Sequence, residues 1–154
     1  MSDPNGMLYS YKQTKGTKMA KNIALTLTTK DELFVDEFEI GNSYRLLSNA
    51  VGGMIECVGL RNNIDMWVND NGIAENLPYN ATATAIYWSN FGFMSGTIFG
   101  DVIFTSSDGM GETIGLTKEQ GEYLREIAFD YLDIKPQKRT VVSVQKVSDL
   151  YGMV

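Results

Sequence analysis

The sequence contains no histidine, and that absence removes more chemistry than any other single feature. Without imidazole there is no side chain that titrates unaided near neutral pH, no Cys-His or Ser-His dyad, and none of the common zinc sites. Catalysis would fall to carboxylates, lysine, tyrosine or a carboxylate-bound hard metal, and no constellation of these is readable. The chain is therefore expected not to be an enzyme, with no catalytic residue, no metal and no cofactor. A single cysteine, Cys57, lies in an apolar run; it has no internal disulfide partner and is expected to be a buried small hydrophobe. Basic residues are also scarce. Thirteen Lys and Arg stand against 19 Asp and Glu, a formal charge of −6 that opposes general nucleic-acid binding. No stretch approaches the roughly 20 apolar residues of a membrane span, and the N-terminus lacks the apolar centre of a secretion signal, so no membrane is expected and the cytoplasm is the expected location.

What is present describes one domain. A chain of 154 residues, 44% hydrophobic and 21% charged, builds a single core. Residues 1–22 are polar and lysine-bearing and are expected to form a flexible arm; residues 23–154 are expected to form one α+β domain, with a mixed, mostly antiparallel sheet and two or three helices. Ile23–Thr28 and Leu33–Ile40 read as strands, with Asp36, Glu37 and Glu39 facing water. Ser43–Val51 carries Tyr44, Leu47 and Val51 at helical spacing and ends at Gly52. Met54–Leu60 and Ile64–Asn69 read as strands joined by an Arg61-Asn62-Asn63 turn, and Asn71-Gly72 signals a further hairpin. Ala81–Trp88 follows Pro78 and a candidate Asn80 cap; helix is the reading adopted, although the alternating Ala and Thr also fit a strand. Ser89–Gly96 reads as a loop and Ile98–Thr105 as a buried strand. Thr117 with Gln120 matches a capping box, ahead of a helix whose stripe runs from Leu116 through Leu124 and Ala128 to Tyr131 and which Pro136 stops; Phe129 falls on its charged side. Thr140–Val147 reads as a last strand.

The glycine-rich segments 92–96 and 108–112 lack the order of a phosphate loop or a dinucleotide fingerprint, and Asp65–Gly72 lacks the spacing of a calcium loop. Aromatic residues offer more. Trp67 falls on the polar face of its strand, and Tyr87, Trp88, Phe91 and Phe93 cluster around the end of the following helix. Core packing accounts for most such rings. The functional alternative is a pocket near Gly52 and Gly53 in which Trp67 or Trp88 stacks on a base. In it Asn80, Thr82 and Thr84 would hold ribose or phosphate groups, and Arg45 or Arg61 would supply a bidentate phosphate contact.

The segments Ala50–Glu56, Met66–Gly72, Leu77–Asn80 with Ala83-Thr84, and Phe99–Ile103 resemble a small domain family of unknown function encoded by phages and plasmids of Gram-positive bacteria. The likeness covers residues 33–124. It implies an accessory role on a mobile element and, by analogy with small acidic phage proteins that defeat host immunity, a sponge for a nucleotide-derived immune signal of the cyclic ADP-ribose type. On that view the protein acts in the host cytoplasm as a homo-oligomer binding a small nucleotide-type ligand. The alternative is an acidic, protein-binding inhibitor that mimics nucleic acid, for which only Asp31–Glu39 is locally dense in acids.

Overall fold

The computed structural model describes residues 22–130 and 132–138. The expected arm, apart from Asn22, and the expected strand Thr140–Val147 lie outside these residues, as does Tyr131. The described elements are β1 (Asn22–Leu27), β2 (Leu33–Phe38), α1 (Ser43–Val51), β3 (Ile55–Gly59), β4 (Ile64–Asn69), α2 (Ala81–Phe91), β5 (Val102–Ser107), β6 (Thr113–Ile114), α3 (Lys118–Leu124) and β7 (Pro136–Lys138). The strands form one seven-stranded sheet in the order β3-β4-β5-β1-β2-β7, with β6 paired to β5. All pairings are antiparallel except β2 with β7, so the α+β class and the mixed, mostly antiparallel sheet are as expected. No helix among the described residues is long and apolar enough to cross a membrane.

Strand alternation sorts the core into two layers. On one face Leu27, Leu33, Ile64, Met66, Val68, Val102 and Phe104 pack against Ala83 and Ile86 of α2 and Leu124, Ala128 and Phe129 in and beyond α3. On the other, Ala24 and Ile103 pack beneath Leu47 and Val51 of α1, with Trp67 and Ile55 at the margin. Tyr44 does not join its expected stripe: it is 63% exposed, because α1 buries only the narrow line Leu47–Val51. The helix stops at Gly52, whose φ of 79° is left-handed, and the Gly52 and Gly53 amides both donate to Ser48 O.

Three sequence expectations are overturned. Asp36 does not face water; it is buried beside β1 and accepts a hydrogen bond from Thr26 Oγ1 at 3.0 Å. Asp31 likewise accepts from Thr82 Oγ1 at 2.8 Å and Glu32 from Thr28 Oγ1 at 3.2 Å, so much of the acidic run Asp31–Glu39 is spent on internal bonds. Asn71-Gly72 makes no hairpin. Neither residue has a positive φ, and Asn69 instead caps the turn by accepting from Asn71 N at 2.7 Å, after which the chain runs on to α2. Phe129 does not face outward. At Arg125–Phe129 the helix widens to i→i+5 bonding, with Asp130 N donating to Arg125 O at 2.9 Å. The inserted residue rotates the residues beyond it by roughly 100°, the angular step of one helical residue. Phe129 thereby turns into the core, its ring 6.3 Å from that of Phe104 in an edge-on arrangement.

Other boundaries shift for local reasons. The Arg61–Asn63 turn is present, with Asn62 and Asn63 at φ 61° and 59°. Residues 81–91 are helical: Asn80 accepts from Ala83 N at 3.0 Å, and the Thr hydroxyls that make a strand plausible in sequence find partners inside the fold. The strand expected at Ile98–Thr105 begins at Val102, since the Tyr79↔Phe99 bridge occupies its first residues, and runs to Ser107.

Candidate ligand cleft

The loop after β4 builds one wall of a large concavity. Asn69 is 6% exposed and spends its side chain on three partners: its amide donates to Val51 O at 3.1 Å and to Glu75 Oε1 at 3.3 Å, and its oxygen holds Asn71 N. Gly72 then passes so close to Phe99 that a Cβ would lie 3.1 Å from Phe99 O. Opposite, α2 presents Tyr87, and Gly96 crosses its ring where a Cβ would meet Cε2 at 2.7 Å; only glycine permits that approach. Between these walls lies an open cleft of about 500 Å³, floored by Val58 and Val68 and edged by Glu56, Asp70, Ile73 and Phe99. Its charge is acidic, since Glu56 and Asp70 line it without any Lys or Arg.

None of the residues expected to bind a ligand lines this cleft. Arg45 is exposed on α1, over the opposite face of the sheet. Gly52 caps that helix, and Gly53 packs against Asn69, its Cβ position 2.9 Å from Nδ2. Arg61 is exposed in the β3–β4 turn, where its amide donates to Asn90 Oδ1 at 2.7 Å. Trp67 also lies on the α1 side, donating from Nε1 to Thr105 Oγ1 at 2.8 Å. Asn80, Thr82, Thr84 and Trp88 are brought together, but by the fold's own bonds. Asn80 is fully buried and donates to Gly100 O at 2.9 Å and Leu27 O at 3.3 Å. Thr84 Oγ1 donates to Asn80 O and accepts from Ile98 N at 2.9 Å, and Trp88 Nε1 donates to Gly96 O at 2.6 Å. Thr84 and Trp88 thus position the strip Gly96–Ile98 that walls the cleft, without lining it themselves.

A second polar group sits on the α1 side. Although Cys57 is exposed, partial burial of its thiol and the adjacent Asp65 carboxylate push it up to about 11. The expected burial of Cys57 is therefore corrected, and the thiol stays protonated at neutral pH. Burial raises Asp65 as well, while hydrogen bonds from Cys57 and Ser107 pull the other way. Among the described residues no group of three His, Cys, Asp or Glu side chains is placed to hold a metal ion.

A family model described as a domain of unknown function, DUF3846, matches residues 23–128. The chain belongs to the DUF3846 family. The matched span runs from the second residue of β1 to Ala128 in the widened end of the third helix, and so contains every wall of the cleft. It also encloses residues 33–124, the span of the family resemblance seen in the sequence. No curated protein and no solved structure matches the chain. Sequence reasoning misses Glu56, Asp70 and Phe99 as DUF3846 cleft residues. The signal that could find them is Asn69–Gly72, a turn-forming run with no strand of hairpin length after it.

Proposed function

We propose that this DUF3846 protein is a non-catalytic binding protein that sequesters a small nucleotide-derived molecule in the cleft between β3, β4 and α2. The supporting observation is the contrast between saturated and available groups. The buried Asn and Thr side chains are consumed by the fold, whereas the Glu56 and Asp70 carboxylates have no partner among the described residues and flank the Tyr87 and Phe99 rings. A volume of about 500 Å³ suits a small organic ligand. Carboxylates accept hydrogen bonds from ribose hydroxyls and base amino groups, and aromatic rings take the base. The same carboxylates repel phosphate, which orients the nucleoside end inward and leaves the phosphates at the open mouth. The family resemblance extends this to an immune signal of cyclic ADP-ribose type captured in the host cytoplasm by a phage-encoded protein.

Calorimetry with ADP-ribose-type nucleotides tests the reading. Binding is expected for the native chain and is lost in Ala74→Trp, which fills the exposed mouth of the cleft. Heating the complex should release the nucleotide intact. Release of cleaved products would make the protein an enzyme, and absence of binding by any such nucleotide removes the proposal.

A further inference from the structure

The two ends of the sheet are built differently. Among the described residues the far end is β7, which opens on Pro136, closes on Lys138 and is only three residues long. Proline, lysine and shortness are the usual devices that stop a sheet edge from recruiting another strand. The other end, β3, has none of them: Met54-Ile55-Glu56-Cys57-Val58-Gly59-Leu60 contains no proline, no lysine and one charge.

The outward groups of β3 follow from its pairing. Leu60 N donates to Ile64 O at 2.7 Å and Asp70 N to Met54 O at 2.8 Å, at the two ends of a ladder that pairs Glu56 with Val68 and Val58 with Met66. Hydrogen-bonded pairs alternate in an antiparallel ladder, so the even-numbered residues bond to β4 and the amides and carbonyls of Ile55, Cys57 and Gly59 point away from the sheet. No partner meets them among the described residues.

We infer that β3 pairs antiparallel with β3 of a second copy of this chain, about a two-fold axis at Cys57, joining the two sheets into one. The segment fits itself in that register. Ile55 lies opposite the partner's Gly59, so a branched side chain meets open space; a Cβ on Gly59 has nothing within 4 Å in the single chain. Met54, 62% exposed, lies opposite the partner's Leu60, covering apolar surface at both ends. Glu56 lies opposite the partner's Val58, and the two Glu56 carboxylates are kept diagonal instead of face to face. A one-residue slip would turn the bonding groups away from each other. Because Glu56 and Val58 also line the cleft, the partner's Val58 extends its open β3 side, and the two clefts abut across the axis. The pairing stands on the strand edge and does not require the ligand proposal.

Light scattering across a dilution series is expected to give twice the chain mass. Cys57→Pro removes an outward donor while leaving the β4 ladder intact, and Gly59→Lys puts charge against the partner's Ile55 in a position open in the monomer. Each is expected to halve the mass with the circular dichroism spectrum unchanged. If Cys57→Pro fails to fold, Gly59→Lys still decides the matter. A native chain that stays monomeric at tens of micromolar, or a dimer unaffected by Gly59→Lys, overturns the inference.

Discussion

Replacing Asn80 by alanine separates a structural from a ligand-binding role for a fully buried polar side chain at the start of α2. The perturbation removes three bonds at once: acceptance from Ala83 N at 3.0 Å, and donation to Gly100 O at 2.9 Å and Leu27 O at 3.3 Å. The lost cap costs about 1 kcal/mol. Losing the two donated bonds in a site with 0% exposure costs about 1 kcal/mol each, for about 3 kcal/mol in all. With a urea dependence of about 2 kcal/mol per molar, the unfolding midpoint falls by about 1.5 M. Asn80→Asp sharpens the test. Its carboxylate keeps an acceptor for Ala83 N but turns the other oxygen toward two carbonyls, so at neutral pH it is expected to destabilise more than alanine does. Burial and repulsion raise the folded-state pKa of the introduced carboxyl, so its penalty shrinks as pH falls through that value and a proton restores a donor. A midpoint shift below about 0.5 M in Asn80→Ala, together with lost nucleotide binding, would refute this reasoning and return Asn80 to the ligand.

Two further outcomes concern the core and Asp65. Phe129→Ala, at a position 1% exposed and edge-on to Phe104, is expected to cost about 3 to 5 kcal/mol in denaturant unfolding, whereas an outward Phe129 would cost almost nothing. Burial holds the Asp65 carboxyl above its usual range, so the native state binds that proton more tightly than the unfolded chain does, and stability is lost as pH rises through the folded value. Asp65→Asn, which can still accept from Cys57 and Ser107, removes that loss. Its unfolding midpoint relative to the native chain should rise between about pH 4 and pH 7, and a fall over that interval contradicts the assignment.

How much is legible in the chain depends on the range of the interactions involved. The α1 helix with its Gly52 cap, the β3–β4 turn at Asn62-Asn63 and the Thr117–Gln120 capping box are set by neighbours within five residues, and their chemistry is written in sequence. Phe129 escapes a sequence reading because a uniform 3.6-residue period cannot announce a widened turn. Asp36 escapes it because the partner that buries it, Thr26, belongs to another strand. The cleft is hidden for a related reason: its walls join Glu56, Tyr87 and Phe99, which only the sheet order and the Asn69-capped loop bring together. Buried Asn and Thr side chains at a helix start look the same in sequence whether they hold a ligand or hold the fold.

The position of β1 between β2 and β5 has a consequence during synthesis. Thr26 pairs with Phe34 eight residues later but with Ile103 only after most of the chain has been made. At roughly 5 to 20 residues per second, the flank of β1 that β5 will cover waits about 4 to 15 seconds on the ribosome. For that interval the nascent β1–β2 hairpin has a bare edge of unpaired backbone amides and carbonyls, so the rate of translation through residues 28–103 governs how long this protein is open to mispairing with its neighbours on the same message.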